Sequence, residues 1–146
     1  MTKQKPHNYS LHQLILAELN FSRDQSIDVK DVKELRHEEN IDVKASNLVE
    51  NKFSVALDYT YTIVNKDKEV VKIKVVQIGN FTCDPSPDPD NLELFMHING
   101  PAIIFPFVRE VIANVTSKAM LGGILIQPVN FVQLYQDKKK KENNGS

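Results

Sequence analysis

The residues of this chain that could bind a metal or catalyse a reaction are its histidines, its cysteine and a group of acidic side chains. His7, His12, His37 and His97 are scattered along the sequence. His7 and His12 are five positions apart in an N-terminal segment that we expect to be frayed, which is poor geometry for two ligands of one metal ion. The sequence therefore predicts no metal site.

Cys83 and the acidic residues after it form no catalytic or calcium-binding pattern. A nucleophilic thiol needs a nearby cation or histidine to lower its pKa, and Cys83 has neither close in sequence. The loop with Asp84, Asp88 and Asp90 lacks the glycine and glutamate positions of an EF-hand. The chain also has no glycine-rich phosphate loop and no G-x-S-x-G or H-E-x-x-H motif. We therefore expect no enzyme and no cofactor.

Two charged groups remain to be explained. Arg109 and Glu110 lie in an apolar stretch, where charges need partners, so we expect an ion pair or an interface contact. A small helix-on-sheet enzyme such as a hot-dog thioesterase, with Glu110 as its carboxylate, is the alternative. Residues 138–141 are all lysine, which is typical of a solvated helix end and leaves contact with a partner or an anionic surface as the other reading.

Composition indicates one globular domain without a nucleic-acid or membrane partner. The chain has 146 residues, of which 41% are hydrophobic and 25% charged, and its net charge is −1. No apolar stretch approaches the roughly 20 residues that span a bilayer. The N-terminus has no apolar signal core, and the single cysteine excludes an internal disulfide, so a reducing cytoplasmic location is expected.

Alternation of apolar and polar residues predicts strands in the first part of the chain. Residues 14–22, 41–46, 52–64 and 69–82 alternate, and the turn at 65–68 makes the last two a hairpin. In the first strand, Ile15, Ala17, Leu19 and Phe21 are predicted to share one face. Gly79 interrupts the pattern and predicts a bulge or a close backbone contact.

Helical spacing replaces alternation after a proline-rich loop at residues 83–91. A helix is predicted over 101–118, with Asn99-Gly100-Pro101 as its start and a kink or break at Pro106. This helix is apolar on nearly every side, so both a sheet and another subunit are expected to cover it. Asn130 is predicted to cap a second helix. The order predicts an α+β domain over 11–136, between a disordered N-terminus at 1–10 and a charged flexible tail at 137–146.

The stretch from 103 to 134 closely resembles the SecB family of export chaperones. That family carries a helix with L-F-P-aromatic-x-R-E-x-I, then S-[RK]-[GA], then an apolar loop that ends in P-V-N-F. The matching residues here are Phe105, Pro106, Phe107, Arg109, Glu110, Ile112, Ser117, Lys118, Pro128, Val129, Asn130 and Phe131.

The resemblance implies a four-stranded antiparallel sheet with two C-terminal helices on one face, assembled as a homotetramer that is a dimer of dimers. It implies that Pro106 is a structural kink in a long helix that builds the subunit interfaces. The residues that it assigns to this helix and its interface are Phe105, Pro106, Phe107, Arg109, Glu110 and Ile112.

The resemblance also implies an ATP-independent holdase that binds unfolded polypeptides in apolar grooves, in the service of protein export. A flexible apolar groove selects non-native chains because only these expose enough apolar side chains. The groove residues implied by position are Ile41, Val43, Phe53, Val55, Leu57, Met120, Leu121, Ile124 and Ile126.

One departure from the family pattern concerns the export motor SecA, which docks on an acidic sheet face in SecB proteins. Here Lys72 and Lys74 stand where the family shows an apolar residue and an acid, while Glu18 keeps one acidic position. Cations at this face weaken docking to a motor that expects acids. Two alternatives therefore stay open: a SecB-like chaperone dedicated to one client, such as the antitoxin of a toxin–antitoxin system, and an assembly protein on the same fold.

Overall fold

The computed structural model describes residues 8–145. Its four strands are β1 (Asn8–Arg23), β2 (Arg36–Ala45), β3 (Lys52–Asn65) and β4 (Lys68–Asp84). They form one antiparallel sheet in the order β1-β4-β3-β2. The helices are the one-turn α1 (Val29–Val32), then α2 (Pro89–Leu94), a π-helical segment (Phe95–Asn99), α3 (Gly100–Lys118) and α4 (Phe131–Asn144). The predicted fold class, a four-stranded antiparallel sheet followed by C-terminal helices, is confirmed.

The hairpin of β3 and β4 is the centre of the sheet, as its alternation predicted. Asn65 pairs with Lys68, and Lys66 in the turn has a φ of 55°. Odd-numbered residues of both strands face the helices and form most of the core, while even-numbered residues form the outer face. The inward residues with no exposed surface are Val55, Leu57, Tyr59, Ile63, Ile73, Val75 and Cys83.

The predicted face of β1 is wrong because this strand has two bulges. One extra residue lies between Leu11 and Gln13 and another between Leu16 and Glu18, so the inward set shifts twice along the strand. Leu14, Leu16, Leu19 and Phe21 share the inner side with β4 positions 79, 77, 75 and 73, whereas Ile15 lies opposite Ile78 on the outer face.

Gly79 marks a close approach between β4 and α3. A Cβ built on Gly79 would lie 2.8 Å from Cε2 of Phe81 and 3.0 Å from Cδ1 of Ile104. The prediction of a close backbone contact is confirmed, and the neighbouring irregularity belongs to β1.

The predicted long helix matches α3, but helical structure that the sequence did not predict already begins at Pro89. Asp88 caps α2 by accepting a hydrogen bond from the Asn91 amide at 2.8 Å, and Pro89 occupies the first turn. The helical path then continues through the π-helical segment into α3. Gly100 lies inside this path. A glycine suits this position because a Cβ there would lie 3.1 Å from the Phe95 carbonyl oxygen.

Pro106 lies on the exposed side of α3, which continues through it from Gly100 to Lys118. The expected break is therefore absent at Pro106, and the irregular turn is the π-helical segment before α3. Because the proline ring faces away from the sheet, it leaves the packing of the buried side undisturbed. That side packs on β3 and β4 through Ile104, Phe105, Val108, Ile112 and Thr116.

The disordered N-terminus and the flexible C-terminal tail that the sequence predicts both overlap with regular structure in the described residues. Residues 1–7 and 146 lie outside the described residues, and residues 8–10 already belong to β1. The expected flexible tail is helical through Asn144 as the end of α4. Lys139 stabilises this end through an ion pair of 3.0 Å with Glu93, and Phe131 anchors the beginning by packing on Phe105. None of the helices in residues 8–145 is long and apolar enough to cross a membrane.

Candidate functional site

A groove runs between the free edge of β2 and the helices α2 and α4. Two cavities of about 220 and 440 Å³ form it, and they share Val43, His97 and Lys138. We call it the β2–α4 groove. The apolar residues that line it are Ile41, Val43, Ala45, Leu48, Pro89, Leu92, Met96 and Leu134, together with the ring of Tyr135. The groove exists because β2 is an edge strand and α4 packs beside it rather than over the sheet centre.

His97 and Tyr135 form the aromatic part of the groove. Their rings stack with centroids 5.4 Å apart, and Lys139 lies 5.6 Å from the Tyr135 centroid. Burial is the main cause that lowers the pKa of His97, and the positive charge of Lys138 is the second cause. The imidazole is therefore neutral at neutral pH. The hydrogen bond from Lys139 lowers the pKa of Glu93, which stays ionised.

Polar contacts hold the wall of the groove on the α4 side. Lys138 Nζ donates to the Val43 carbonyl oxygen at 3.3 Å and so covers a backbone acceptor at the edge of β2. On the β2 side of the groove, Asp42 lies 3.8 Å from Lys44. The contact between Lys138 and the strand edge ties α4 to β2 while leaving the apolar floor between them open.

The loop between α3 and α4, residues 119–130, is anchored at three points. Arg23 of β1 donates to the Ala119 carbonyl oxygen at its start. The Thr116 hydroxyl accepts from the Ile124 amide at 2.7 Å and donates to the Ile112 carbonyl oxygen. Arg109 Nε donates to the Ile126 carbonyl oxygen at 3.0 Å near its end.

Between these anchors the loop presents apolar side chains to solvent. Met120 is 79% exposed and Leu125 is 64% exposed, whereas Leu121 and Ile126 point into the core. Met120, Gly122 and Gly123 all have positive φ, a backbone in which the two glycines incur no Cβ strain. The loop therefore combines a fixed base with an exposed apolar rim.

Comparison with known proteins assigns the family. The sequence model described as "Preprotein translocase subunit SecB" matches residues 2–142. The chain belongs to the SecB family. Protein-export protein SecB of Methylobacillus flagellatus is 29% identical over 84% of this chain and 82% of its own length. Protein-export protein SecB of Aromatoleum aromaticum is 38% identical over 64% of this chain and 58% of its own length.

A solved structure shows the same fold. The SecB-like chaperone of Mycobacterium tuberculosis, in complex with a ChAD peptide from the HigA1 antitoxin, has a TM-score of 0.70. The alignment covers 83% of this chain and 90% of that chain at 13% identity, so the similarity is one of fold. The family resemblance indicated by residues 103–134 is confirmed. The prediction that the protein belongs to the SecB class of chaperones is confirmed as well.

The predicted SecB groove residues fall into two groups. Ile41 and Val43 line the β2–α4 groove, and Met120 is exposed on the connecting loop, with Ile124 half-buried beside it. The others lie in the core, and Val55 and Leu57 expose no surface at all. The core members that offer little or no surface to a ligand in this structure are Val55, Leu57, Leu121 and Ile126. Phe53 is also buried but lines a separate cavity of about 860 Å³, together with Phe81.

The predicted interface residues lie on two opposite sides of α3. Phe105 and Ile112 are buried against the sheet, while Pro106, Phe107 and Glu110 are exposed on the opposite side of α3. Within residues 8–145, Arg109 forms no ion pair within 4.0 Å, and its contact is the Ile126 carbonyl. Of the two expected contacts, the ion pair is absent from the described residues, where Arg109 anchors the loop instead. The interface contact stays a prediction.

The outer face of the sheet holds the residues predicted to face a motor. Lys74 Nζ lies 3.5 Å from Glu18 Oε2 and 3.9 Å from Asp58 Oδ2, so one lysine pairs with acids on both neighbouring strands. Lys72 lies two positions along β4 on the same face. The face is thus locally neutralised.

Sequence reasoning missed the contributions of α2, the π-helical segment and α4 to the groove, which include Leu92, His97, Leu134 and Tyr135. The Asp88-Pro89 pair was the available signal for α2, since it combines a helix cap with a first-turn proline. Cys83 is buried, and burial raises the pKa of its thiol, as expected for a structural residue. The described residues contain no group of three metal-binding side chains.

Proposed function

We propose that this SecB-family protein is an ATP-independent holdase that binds unfolded polypeptides in the β2–α4 groove. The observation that carries the proposal is an open apolar groove along a free strand edge. The exposed Met120 and Leu125 of the connecting loop add a second apolar surface on the same chain. Curated relatives of this family are named for protein export. This supports the proposal that the clients are proteins held before their translocation from the cytoplasm.

The physical basis of selection is the difference in exposed apolar surface between unfolded and folded chains. An extended segment in the groove places alternate side chains toward its floor, as a strand does. Burying roughly 400 Å² of apolar surface contributes on the order of 10 kcal/mol before the costs of association are subtracted. A folded protein has already buried such side chains, so it gains little from the groove.

Assembly is the second part of the proposal. On the exposed side of α3, Ile103 is 42% exposed and Phe107 is 38% exposed, and the inward Leu16 and Leu19 of β1 are also uncovered. We call these four residues the β1–α3 apolar surface. Copies of the same chain cover this surface in a homotetramer, as the family resemblance implies.

A chaperone dedicated to one client is the second candidate, and the pairing of Lys74 favours it. Because Lys74 neutralises both Glu18 and Asp58, the outer face offers less negative charge to a motor such as SecA. An antitoxin is a suitable client of this kind, given the peptide bound by the fold neighbour from M. tuberculosis.

Binding of a permanently unfolded, fluorescently labelled polypeptide tests the proposal. We expect an anisotropy increase with sub-micromolar affinity for the unfolded chain and none for its folded counterpart, without added nucleotide. Absence of binding to either form contradicts the general holdase. Similar affinity for a panel of unrelated unfolded chains favours the generalist, whereas binding to a single antitoxin segment favours the dedicated chaperone.

A further inference from the structure

The β2–α4 groove has an excess of positive charge at the α4 side. Residues 137–142 contain four lysines and two acids. Lys138 and Lys141, one helical turn apart, both line the groove, whereas Lys140 lines neither of its cavities. Lys44 of β2 also lines the groove but pairs with Asp42, so the cations left for a ligand are Lys138 and Lys141.

The acidic residues of the groove already have partners. Asp42 lies 3.8 Å from Lys44, and Glu93 lies 3.0 Å from Lys139. In the part of the chain that the structure describes, Lys138 and Lys141 have no carboxylate within 4.0 Å. The contact that Lys138 does form, with the neutral Val43 carbonyl, leaves its charge uncompensated. The C-terminal dipole of α4 offsets only about half a charge.

These two ammonium groups adjoin an apolar floor. Lys138 and Lys141 share their cavity with Ile41, Val43 and Leu134. A segment whose apolar side chains fill this floor brings its neighbouring side chains within reach of the lysines. Carboxylates there gain charge-assisted contacts, while lysines or arginines meet like charge.

We propose that the β2–α4 groove prefers unfolded segments in which apolar residues adjoin aspartate or glutamate. This preference rests on the proposed holdase function and specifies the chemistry of its clients. The groove discriminates against segments in which the same apolar residues adjoin lysine or arginine.

Three labelled peptides with one apolar core, flanked by aspartate, serine or lysine, test the preference by fluorescence anisotropy. We expect the aspartate peptide to bind about fivefold more tightly than the lysine peptide at low salt. Raising the salt concentration shrinks this ratio because the cations are exposed. The double variant Lys138→Gln/Lys141→Gln reduces it to less than about twofold, while the control Lys140→Gln keeps it.

The serine peptide separates the two proposals. If it binds and the aspartate and lysine peptides bind equally, or the lysine peptide binds better, the charge preference is overturned and the holdase stands. If the ratio is unchanged in the double variant, these lysines are not its source and the inference fails. If none of the three peptides binds, both proposals fail. Circular dichroism of each variant verifies that the fold is retained.

Discussion

Arg109 Nε in α3 donates a hydrogen bond to the carbonyl oxygen of Ile126, 3.0 Å away in the loop between α3 and α4. Arg109 belongs to the sequence pattern by which the chain resembles its family. It is half-buried, and its guanidinium joins the long helix to the end of the loop that leads into α4. Arg109 is thus the anchor near the end of the loop, while Arg23 and Thr116 hold its earlier part.

Replacing Arg109 with alanine should loosen this loop. We expect the free energy of unfolding to fall by about 1–2 kcal/mol, because a hydrogen bond from a charged donor is lost. Amide hydrogen exchange should accelerate in residues 121–127 and stay unchanged in β3 and β4. Arg36→Ala is the matched control, since the exposed pair of Arg36 and Glu38 contributes little. Unchanged loop exchange in the Arg109 variant would contradict the anchoring role.

The exposed loop side chains should contribute to client binding. The double variant Met120→Ser/Leu125→Ser removes two apolar side chains that contact solvent, so we expect weaker binding of an unfolded polypeptide by about tenfold at nearly unchanged stability. Val49→Ser, which alters a similarly exposed residue in the connection between β2 and β3, should leave affinity unchanged. Equal affinity of the double variant and wild type would exclude the loop from the client site.

The β1–α3 apolar surface should hold the assembly together. Ile103→Asp and Phe107→Asp each place a charge on the exposed side of α3, where its burial by a second copy costs several kcal/mol. We expect a smaller species by light scattering after size-exclusion chromatography, with the circular dichroism spectrum retained. Leu94→Asp in α2 is the control and should keep the wild-type mass. A wild-type mass for both α3 variants would place the interface elsewhere.

Local sequence signals predicted the elements whose structure depends on near neighbours. The hairpin of β3 and β4 followed from alternation and its turn, and the close contact at Gly79 followed from its lack of a side chain. The predicted face of Ile15 was wrong because one extra residue in a strand moves every later side chain to the opposite face. No local pattern in the sequence of β1 indicates its bulges.

Contacts between distant segments were harder to predict. The partner of Arg109 is a backbone carbonyl 17 residues later, and backbone acceptors leave no trace in side-chain types. The β2–α4 groove needs the edge of β2 beside a helix more than 90 residues away, joined by Lys138 and Val43. Burial of Val55 and Leu57 depends on the path of α3 across the sheet, which periodicity alone does not define.

His97 should make stability depend on pH on the acidic side of neutrality. Burial, followed by the charge of Lys138, lowers its pKa in the folded chain, although Glu93 and Glu142 oppose the shift. The stabilisation is complete above the unfolded-state pKa of about 6.5, where His97 is neutral in both states. As the pH falls, the unfolded chain binds the proton first, and stability is lost through the lower folded-state pKa.

We therefore expect urea denaturation to show a decreasing free energy of unfolding between about pH 7 and pH 5. His97→Phe keeps an aromatic ring beside Tyr135 but cannot titrate, so its decrease over this range should be smaller than that of wild type. His97→Gln, which is polar and also does not titrate, should show the same reduced dependence even if its absolute stability is lower. Parallel pH curves for wild type and both variants would show that His97 does not carry this dependence.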